Sequence, residues 1–280
     1  MDEATRRAVA AAREQFPAAS ELADGIDTGP VVFGFDGYLD RVRAVVGDRT
    51  DPETYDRLAT LSGFRDRVDD SVRADSSLSF EWLEAGQRTG GHTCHLARAF
   101  GVWEFDPTLV GMYGDPVRDA FEAEFGDDDL VSLGEPGVTD AVEFDDGKLM
   151  LTEIGDTMDL DWNGVDERFG HDALGERLDG AALLGVGYWS ETPDLPDILD
   201  GLEDHWDDIA DPPGTVLVDP GDVRKLDADR RRAGRAAIGR LAAETEVVVS
   251  ANRAETGVLA DAFDGESGVF DRDVVALVVH

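Results

Sequence analysis

The sequence is poor in cysteine, and it contains no long hydrophobic run. The single cysteine, Cys94, excludes an internal disulfide framework and a cysteine-based zinc cluster. No apolar run approaches the roughly 18 residues that a membrane-spanning helix needs, and the first residues lack the apolar region of a signal peptide. We therefore expect a soluble cytoplasmic protein that does not bind a membrane.

Basic residues are also few. The chain has 25 Lys+Arg, of which two are lysines, against 62 Asp+Glu, and its formal net charge is −37. This charge argues against nucleic-acid binding through a basic surface. Because 42% of the residues are hydrophobic, a folded protein is expected rather than a disordered acidic chain. Scarce lysine with acids throughout indicates a halophilic protein, since salt of 1 M shortens the Debye length to about 3 Å; an ordinary acidic protein is the alternative.

The 280 residues are enough for one large domain with its own core. Short apolar runs alternate along the chain with charged segments of helical character. This alternation predicts an α/β fold, in which a parallel sheet is covered by helices on both faces. Strands are predicted at 31–34, 107–112, 182–186, 215–219, 246–250 and 274–279, and helices at 2–16, 92–100 and 227–244.

A second group of strands fits the parallel sheet less well. Asp146-Gly147 is a short-turn signal between two alternating segments, which predicts a β-hairpin over 138–154. Together with apolar runs near 40–47 and 78–90, this hairpin is expected to form a small antiparallel lid beside the main sheet.

Four local patterns follow a predicted strand or open a predicted helix. In an open α/β sheet, ligands bind outside the carboxyl ends of the strands, so such patterns are candidates for a site. They are GFDGYLD at 34–40, GGHTCH at 90–95, VDP at 218–220 and SANRAE at 250–255.

The first two patterns contain the candidate residues Asp40, Gly90 and Gly91. The two glycines allow a backbone to approach a ligand closely, with the N–H groups of the following helix facing it; the alternative is a plain turn before a helix. Asp40 is either a ligand-binding carboxylate or one of many solvated acids. His92 and His95 lack the further ligand that a metal site needs. Cys94 has no activating motif and is expected to be a small buried apolar residue.

The last pattern contains Asn252 and Glu255. An Asn at the N-cap with Glu three residues later is a capping box, which stabilises a helix start by about 1 kcal/mol. In a functional interpretation, the two side chains face the phosphate end of a nucleotide and organise Mg²⁺ through water. The two interpretations are compatible, because a capped helix start can also face a phosphate.

Taken in order, these patterns resemble the ribokinase-like (PfkB) carbohydrate kinases, including their archaeal ADP-dependent sugar-kinase branch. The resemblance covers roughly residues 31–280 and rests on GFDGYLD, GGHTCHLARAFGV, PTLVGMYGD, the hairpin at 138–154 and VVVSANRAE.

The resemblance implies a sugar kinase with a ribokinase-like fold and a β lid. It implies that Asp40, Gly90 and Gly91 bind the sugar, and that Asn252 and Glu255 lie at the nucleotide phosphates with Mg²⁺ near Glu255. The donor is ATP or ADP, and a homodimer through the lid is expected by the same resemblance.

Two features depart from the family pattern. Histidines stand where members often carry an Asn after the glycine pair, and the G-x-G-D motif, which by resemblance supplies the anion hole and the catalytic base, does not occur. The last residues end inside an apparent strand, so we expect a 1–280 domain that is incomplete at its C-terminus and assign no catalytic base. The alternatives to a kinase are a non-catalytic sugar- or nucleoside-binding or regulatory protein, and a truncated product without function.

Overall fold

The computed structural model describes residues 28–261. The helix predicted over residues 2–16 and the strand predicted over residues 274–279 lie outside this part of the chain. No helix within residues 28–261 is both long enough and apolar enough to cross a membrane.

A six-stranded parallel sheet forms the centre of the fold, with the strand order β11-β10-β9-β1-β5-β6. Every neighbouring pair is parallel; for example, Val31 of β1 is level with Pro107 of β5 on one side and with Leu183 of β9 on the other. The predicted parallel sheet is therefore confirmed, with one additional strand, β6. The strands are β1 (Pro30–Phe35), β5 (Asp106–Gly111), β6 (Asp129–Ser132), β9 (Leu183–Gly187), β10 (Thr215–Asp219) and β11 (Glu246–Val249).

Eight α-helices occur within residues 28–261. The predicted helices at 92–100 and 227–244 are confirmed, and Asp227 begins the longest helix by accepting a hydrogen bond from the Arg230 N–H at 2.8 Å. The helices are α1 (Leu61–Arg73), α2 (His92–Gly101), α3 (Asp119–Phe125), α4 (Trp162–Arg168), α5 (His171–Leu178), α6 (Leu195–Asp204), α7 (Ala228–Glu244) and α8 (Arg253–Asp261).

Helix α6 lies between β9 and β10, where the alternation of apolar runs and charged segments predicts a helix without giving its bounds. Its buried residues Leu195, Ile198, Leu199 and Leu202 are spaced by three, one and three positions, which puts them on one helical face.

The core lies on both faces of the main sheet. Successive side chains of β1 point to opposite faces, so Val31 and Phe33 pack with Cys94 in one cluster, and Val32 packs with Trp189 in a larger cluster on the other side. Cys94 is fully buried there, as predicted. The sheet is thus covered on both faces. The edge at the carboxyl ends of its strands is where a ligand site is expected.

A second sheet, here called the lid sheet, contains all three segments predicted as lid strands. The predicted hairpin is confirmed: β7 and β8 pair antiparallel, with Phe144 opposite Gly147. Residues 48–76 include a short strand as well as α1. The strands are β2 (Tyr38–Arg49), β3 (Tyr55–Arg57), β4 (Trp82–Gly90), β7 (Gly137–Phe144) and β8 (Gly147–Glu153).

The prediction of an antiparallel lid is wrong in one respect. Strands β2 and β7 pair in parallel, with Tyr38 level with Gly137 and Arg43 level with Val142, so the lid sheet is mixed. A hairpin forces its two strands to be antiparallel, but β2 and β7 are joined by a long crossover that includes β5 of the main sheet. They therefore enter the lid sheet in the same direction.

Candidate active site

The carboxyl ends of three adjacent strands, β10, β9 and β1, bring polar side chains to one edge of the main sheet. Asp219 is the last residue of β10, Tyr188 follows β9 directly, and Asp36 follows β1 directly. Burial is the main cause that raises the pKa of Tyr188, and the charges of Asp219, Asp36 and Glu255 raise it further. The edge is therefore acidic and half-enclosed.

Asp36 connects this edge to helix α2. Its carboxylate is fully buried and accepts hydrogen bonds from the His92 N–H at 2.7 Å and the Thr93 N–H at 3.0 Å. The Thr93 hydroxyl donates to the backbone oxygen of Asp36 at 3.0 Å. Burial raises the pKa of Asp36 to about 6, although the hydrogen bonds from Thr93 and His92 act in the opposite direction.

The glycine pair lies between the two aspartates of the first pattern. Gly91 has a φ of +97°, and a Cβ atom there would lie 2.9 Å from Oδ1 of Asp36. At Gly90 a Cβ atom would lie 3.2 Å from Oδ2 of Asp40. The two residues are neighbours because β2 and β4 pair, with Gly90 opposite Tyr38 and Asp40 two positions further along β2. The structure thus brings Asp40, Gly90 and Gly91 together.

One detail of the expected glycine site is corrected. The sequence suggests that the first N–H groups of α2 face a ligand, but those of His92 and Thr93 are already bound by Asp36. The carboxylate satisfies donors that a helix start otherwise leaves free. These two N–H groups are therefore already satisfied, and beside the glycine pair the Gly90 backbone and the Asp40 carboxylate lie close together.

The two histidines after the glycines lie in different surroundings. His92 is 3% exposed, its Nδ1 has no hydrogen-bond partner, and its Nε2 lies 3.9 Å from Oδ2 of Asp219. Burial lowers the pKa of His92 to about 3, so the imidazole is neutral. His95 is exposed on α2, where its Nδ1 lies 3.3 Å from Nη1 of Arg98. Within residues 28–261 no three His, Cys, Asp or Glu side chains group closely enough to hold a metal ion.

Tyr38, the first residue of the lid sheet, contacts a residue that follows a strand of the main sheet. The Tyr38 hydroxyl donates a hydrogen bond to Oε2 of Glu191 at 3.3 Å, and Glu191 also forms an ion pair with Lys225. Glu191 follows β9 and Lys225 follows β10, so the bridge joins the lid sheet to the same edge that carries Asp219.

Asn252 and Glu255 form the predicted capping box. Oδ1 of Asn252 accepts hydrogen bonds from the N–H groups of Ala254 at 2.9 Å and Glu255 at 3.1 Å, and Oε2 of Glu255 accepts one from the Asn252 N–H at 2.8 Å. The Glu255 charge also raises the pKa of Tyr188. The capped helix start therefore lies at the acidic edge.

Two residues of the site were missed by reasoning from the sequence alone: Asp36 and Tyr188. Asp36 carries a usable signal, because it follows a buried strand immediately and so lies at the carboxyl end of that strand. Tyr188 has only its location after a run of small and apolar residues, and aromatic residues in such locations are common in cores.

Comparison with known proteins assigns the family. The family model for prokaryotic ketohexokinase matches residues 1–280. A ketohexokinase of Haloferax volcanii is 52% identical over 280 residues, which are all of this chain and 73% of that protein.

A solved carbohydrate kinase structure shows the same fold. A carbohydrate kinase from Agrobacterium tumefaciens superposes with a TM-score of 0.51 at 13% identity, covering 84% of this chain and 67% of that one. A nucleoside kinase from Burkholderia thailandensis has a TM-score of 0.47 at 14% identity, and the match covers 83% of this chain and 63% of that chain. The chain therefore belongs to the prokaryotic ketohexokinase family of sugar kinases with the ribokinase-like fold, enzymes that use a nucleotide as phosphoryl donor.

Proposed function

We propose that this chain phosphorylates a ketohexose, with ATP or ADP as the phosphoryl donor. One observation carries the proposal: Asp40, on strand β2 of the lid sheet, lies beside Gly90, and Tyr38 at the start of the same strand reaches Glu191 at the acidic edge. A sugar held by Asp40 and the backbone of Gly90 and Gly91 has its hydroxyl groups between the lid sheet and the strand ends.

Asp40 suits a sugar because an ionised carboxylate is a strong hydrogen-bond acceptor for hydroxyl groups. Gly90 and Gly91 suit it because they leave the backbone open to close approach. In the reaction, a sugar hydroxyl oxygen bonds to the terminal phosphorus of the nucleotide, and the bond from that phosphorus to the bridging oxygen breaks. The hydroxyl proton leaves to a base, which we do not assign to any described residue. The contribution of Asp40 and the glycines is therefore to hold the hydroxyl near the donor.

The phosphate end of the donor is assigned to Asn252 and Glu255, with Asp219 nearby at the same edge. Each oxygen of Glu255 accepts one hydrogen bond from Asn252 and has a further lone pair available. This donor set fits Mg²⁺, which binds through one or two carboxylates, waters and phosphate oxygens rather than through a closed cage of protein ligands. Mg²⁺ supplies neutralisation of the phosphate charge when it is bound.

The setting proposed for this activity is the cytoplasm of a cell with high internal salt. A net charge of −37 with two lysines among 25 basic residues supports it.

A homodimer through the lid sheet is proposed as well: Trp82, Met150, Leu151 and Ile154 of the lid region are each more than 40% exposed, and a second copy would cover them. Light scattering in molar KCl at several protein concentrations tests the dimer, and a monomer at all of them contradicts it.

Phosphoryl transfer to a panel of sugars tests the activity. The chain is assayed in molar KCl with ATP and with ADP. We expect transfer to D-fructose ahead of aldohexoses and nucleosides. Stabilisation by a sugar without turnover would favour the non-catalytic binding protein, and neither stabilisation nor turnover would contradict both functions.

A further inference from the structure

We infer that Asp36 is a positioning residue for the sugar subsite: its buried carboxylate fixes the Gly90-Gly91 turn against the end of β1. The inference rests on the proposed function, because the sugar is assigned to Asp40 and to these two glycines. Asp36 itself is fully buried and does not touch the sugar.

The geometry of the turn supports this role. The two N–H groups that Asp36 binds, at 2.7 Å and 3.0 Å, belong to His92 and Thr93, the two residues after the glycine pair. Gly91 has a φ of +97° and lies so close to the carboxylate that a Cβ atom there would be 2.9 Å from Oδ1. The carboxylate therefore determines where the turn leaves β4 and where α2 begins.

The Gly90-Gly91 turn also determines the surroundings of Asp40. Two aspartates contact two successive glycines: Asp36 lies against Gly91, and Asp40 lies against Gly90. Because Gly90 is also the last residue of β4, which pairs with β2, a shift of the turn moves the Gly90 backbone relative to Asp40. A loosened turn thus changes the sugar subsite without any change in the residues that touch the sugar.

Burying the charge of Asp36 costs desolvation free energy, and mainly backbone N–H groups compensate for it. The titratable groups that face it from the neighbouring elements carry no positive charge at neutral pH, since His92 is neutral. Burial raises the pKa of Asp36 to about 6. A neutral Asn or Ser could cap a helix without this desolvation cost, so a carboxylate here indicates a requirement of the site. The facing groups are Tyr38 on β2, His92 and Cys94 on α2, Tyr113 after β5 and Tyr188 after β9.

The variant Asp36→Asn tests the inference in the full chain. Asn keeps one acceptor oxygen but turns an N–H₂ donor toward the second N–H group of α2. We expect the KM for D-fructose to rise about tenfold, because a hydrogen bond to a charged group is lost, while the KM for the nucleotide stays within about twofold. Gly86→Ala is the matched control, since a Cβ atom at Gly86 meets nothing within 4 Å, and it should change neither KM.

The pH dependence separates positioning from a purely structural role. In the unmodified chain, kcat/KM for D-fructose should fall as pH is lowered through about 6, where Asp36 takes up a proton, loses its charge and turns an O–H toward one of the two N–H groups. In Asp36→Asn this inflection should be absent. If the variant does not fold, the test uses the unmodified chain alone. The pH profile of kcat/KM is then measured once with D-fructose varied and once with the nucleotide varied, and the inflection near pH 6 should occur only for D-fructose.

Three results would overturn the inference alone: an unchanged KM for D-fructose in the variant, equal changes in both KM values, or an inflection near pH 6 that persists in Asp36→Asn. An unmodified chain that transfers no phosphoryl group to any sugar would overturn the proposed function, and this inference with it.

Discussion

The glycine at the turn beside Asp36 gives the sharpest stability prediction. In Gly91→Ala, the new Cβ atom lies 2.9 Å from Oδ1 of Asp36 and within 3.0 Å of its Cγ, and the backbone keeps a φ of +97°. The positive φ costs about 1–2 kcal/mol for a residue with a Cβ atom. Crowding in a packed interior costs about 1–3 kcal/mol more, and the carboxylate cannot move away without losing its two backbone hydrogen bonds. We therefore expect the free energy of unfolding to fall by about 2–5 kcal/mol.

Urea unfolding in molar KCl, followed by tryptophan fluorescence, measures this change. Gly101→Ala is the matched control on the same helix, because a Cβ atom there meets nothing within 4 Å and the φ is not positive. The control should change the free energy of unfolding by less than about 1 kcal/mol, in the stabilising direction. If Gly91→Ala lowers it by less than about 1 kcal/mol as well, the turn is not held against Asp36, and the reasoning about the sugar subsite is refuted.

Three further predictions concern the bridge, the nucleotide end and the charge. Tyr38→Phe removes the hydrogen bond to Glu191, so the KM for D-fructose should rise about two- to tenfold in steady-state kinetics; an unchanged KM would show that the bridge does not shape the subsite. Asn252→Ala removes the N-cap of α8 and should lower the free energy of unfolding by about 1 kcal/mol. It should also raise the KM for the nucleotide and leave that for the sugar unchanged, and the reverse pattern would contradict the assignment. Lowering KCl from molar to 0.1 M lengthens the Debye length to about 10 Å, so the melting temperature should drop by about 5–10 °C through self-repulsion; an equal melting temperature in both salts would exclude adaptation to salt.

The main sheet was predictable because the information is local. A strand buried on both faces is a short apolar run, and 31–34, 182–186 and 215–219 all became strands of the parallel sheet. The capping box at Asn252 and Glu255 was predictable for the same reason, since the two residues are three positions apart.

The direction of the lid strands and the environment of Asp36 were not predictable in this way. The parallel pairing of β2 with β7 joins segments far apart in sequence, and no local pattern encodes it. Asp36 is one of 62 acids, and its burial depends on the turn before α2 and on the loop after β9 together. The environment of His92 likewise depends on residues at the ends of two other strands, Tyr188 after β9 and Asp219 in β10.

Asp40 is the carboxylate on which the proposed sugar subsite depends most. The direct test compares phosphoryl transfer to D-fructose in molar KCl by the unmodified chain, by Asp40→Asn and by Asp48→Asn, an exposed aspartate on the same strand. Asp40→Asn should lower kcat/KM for the sugar about 100-fold, as expected for the loss of one strong hydrogen bond to a charged group, worth about 1.5–3 kcal/mol, and should leave the KM for the nucleotide unchanged. Asp48→Asn should behave like the unmodified chain. Equal kcat/KM values for all three proteins would contradict the account.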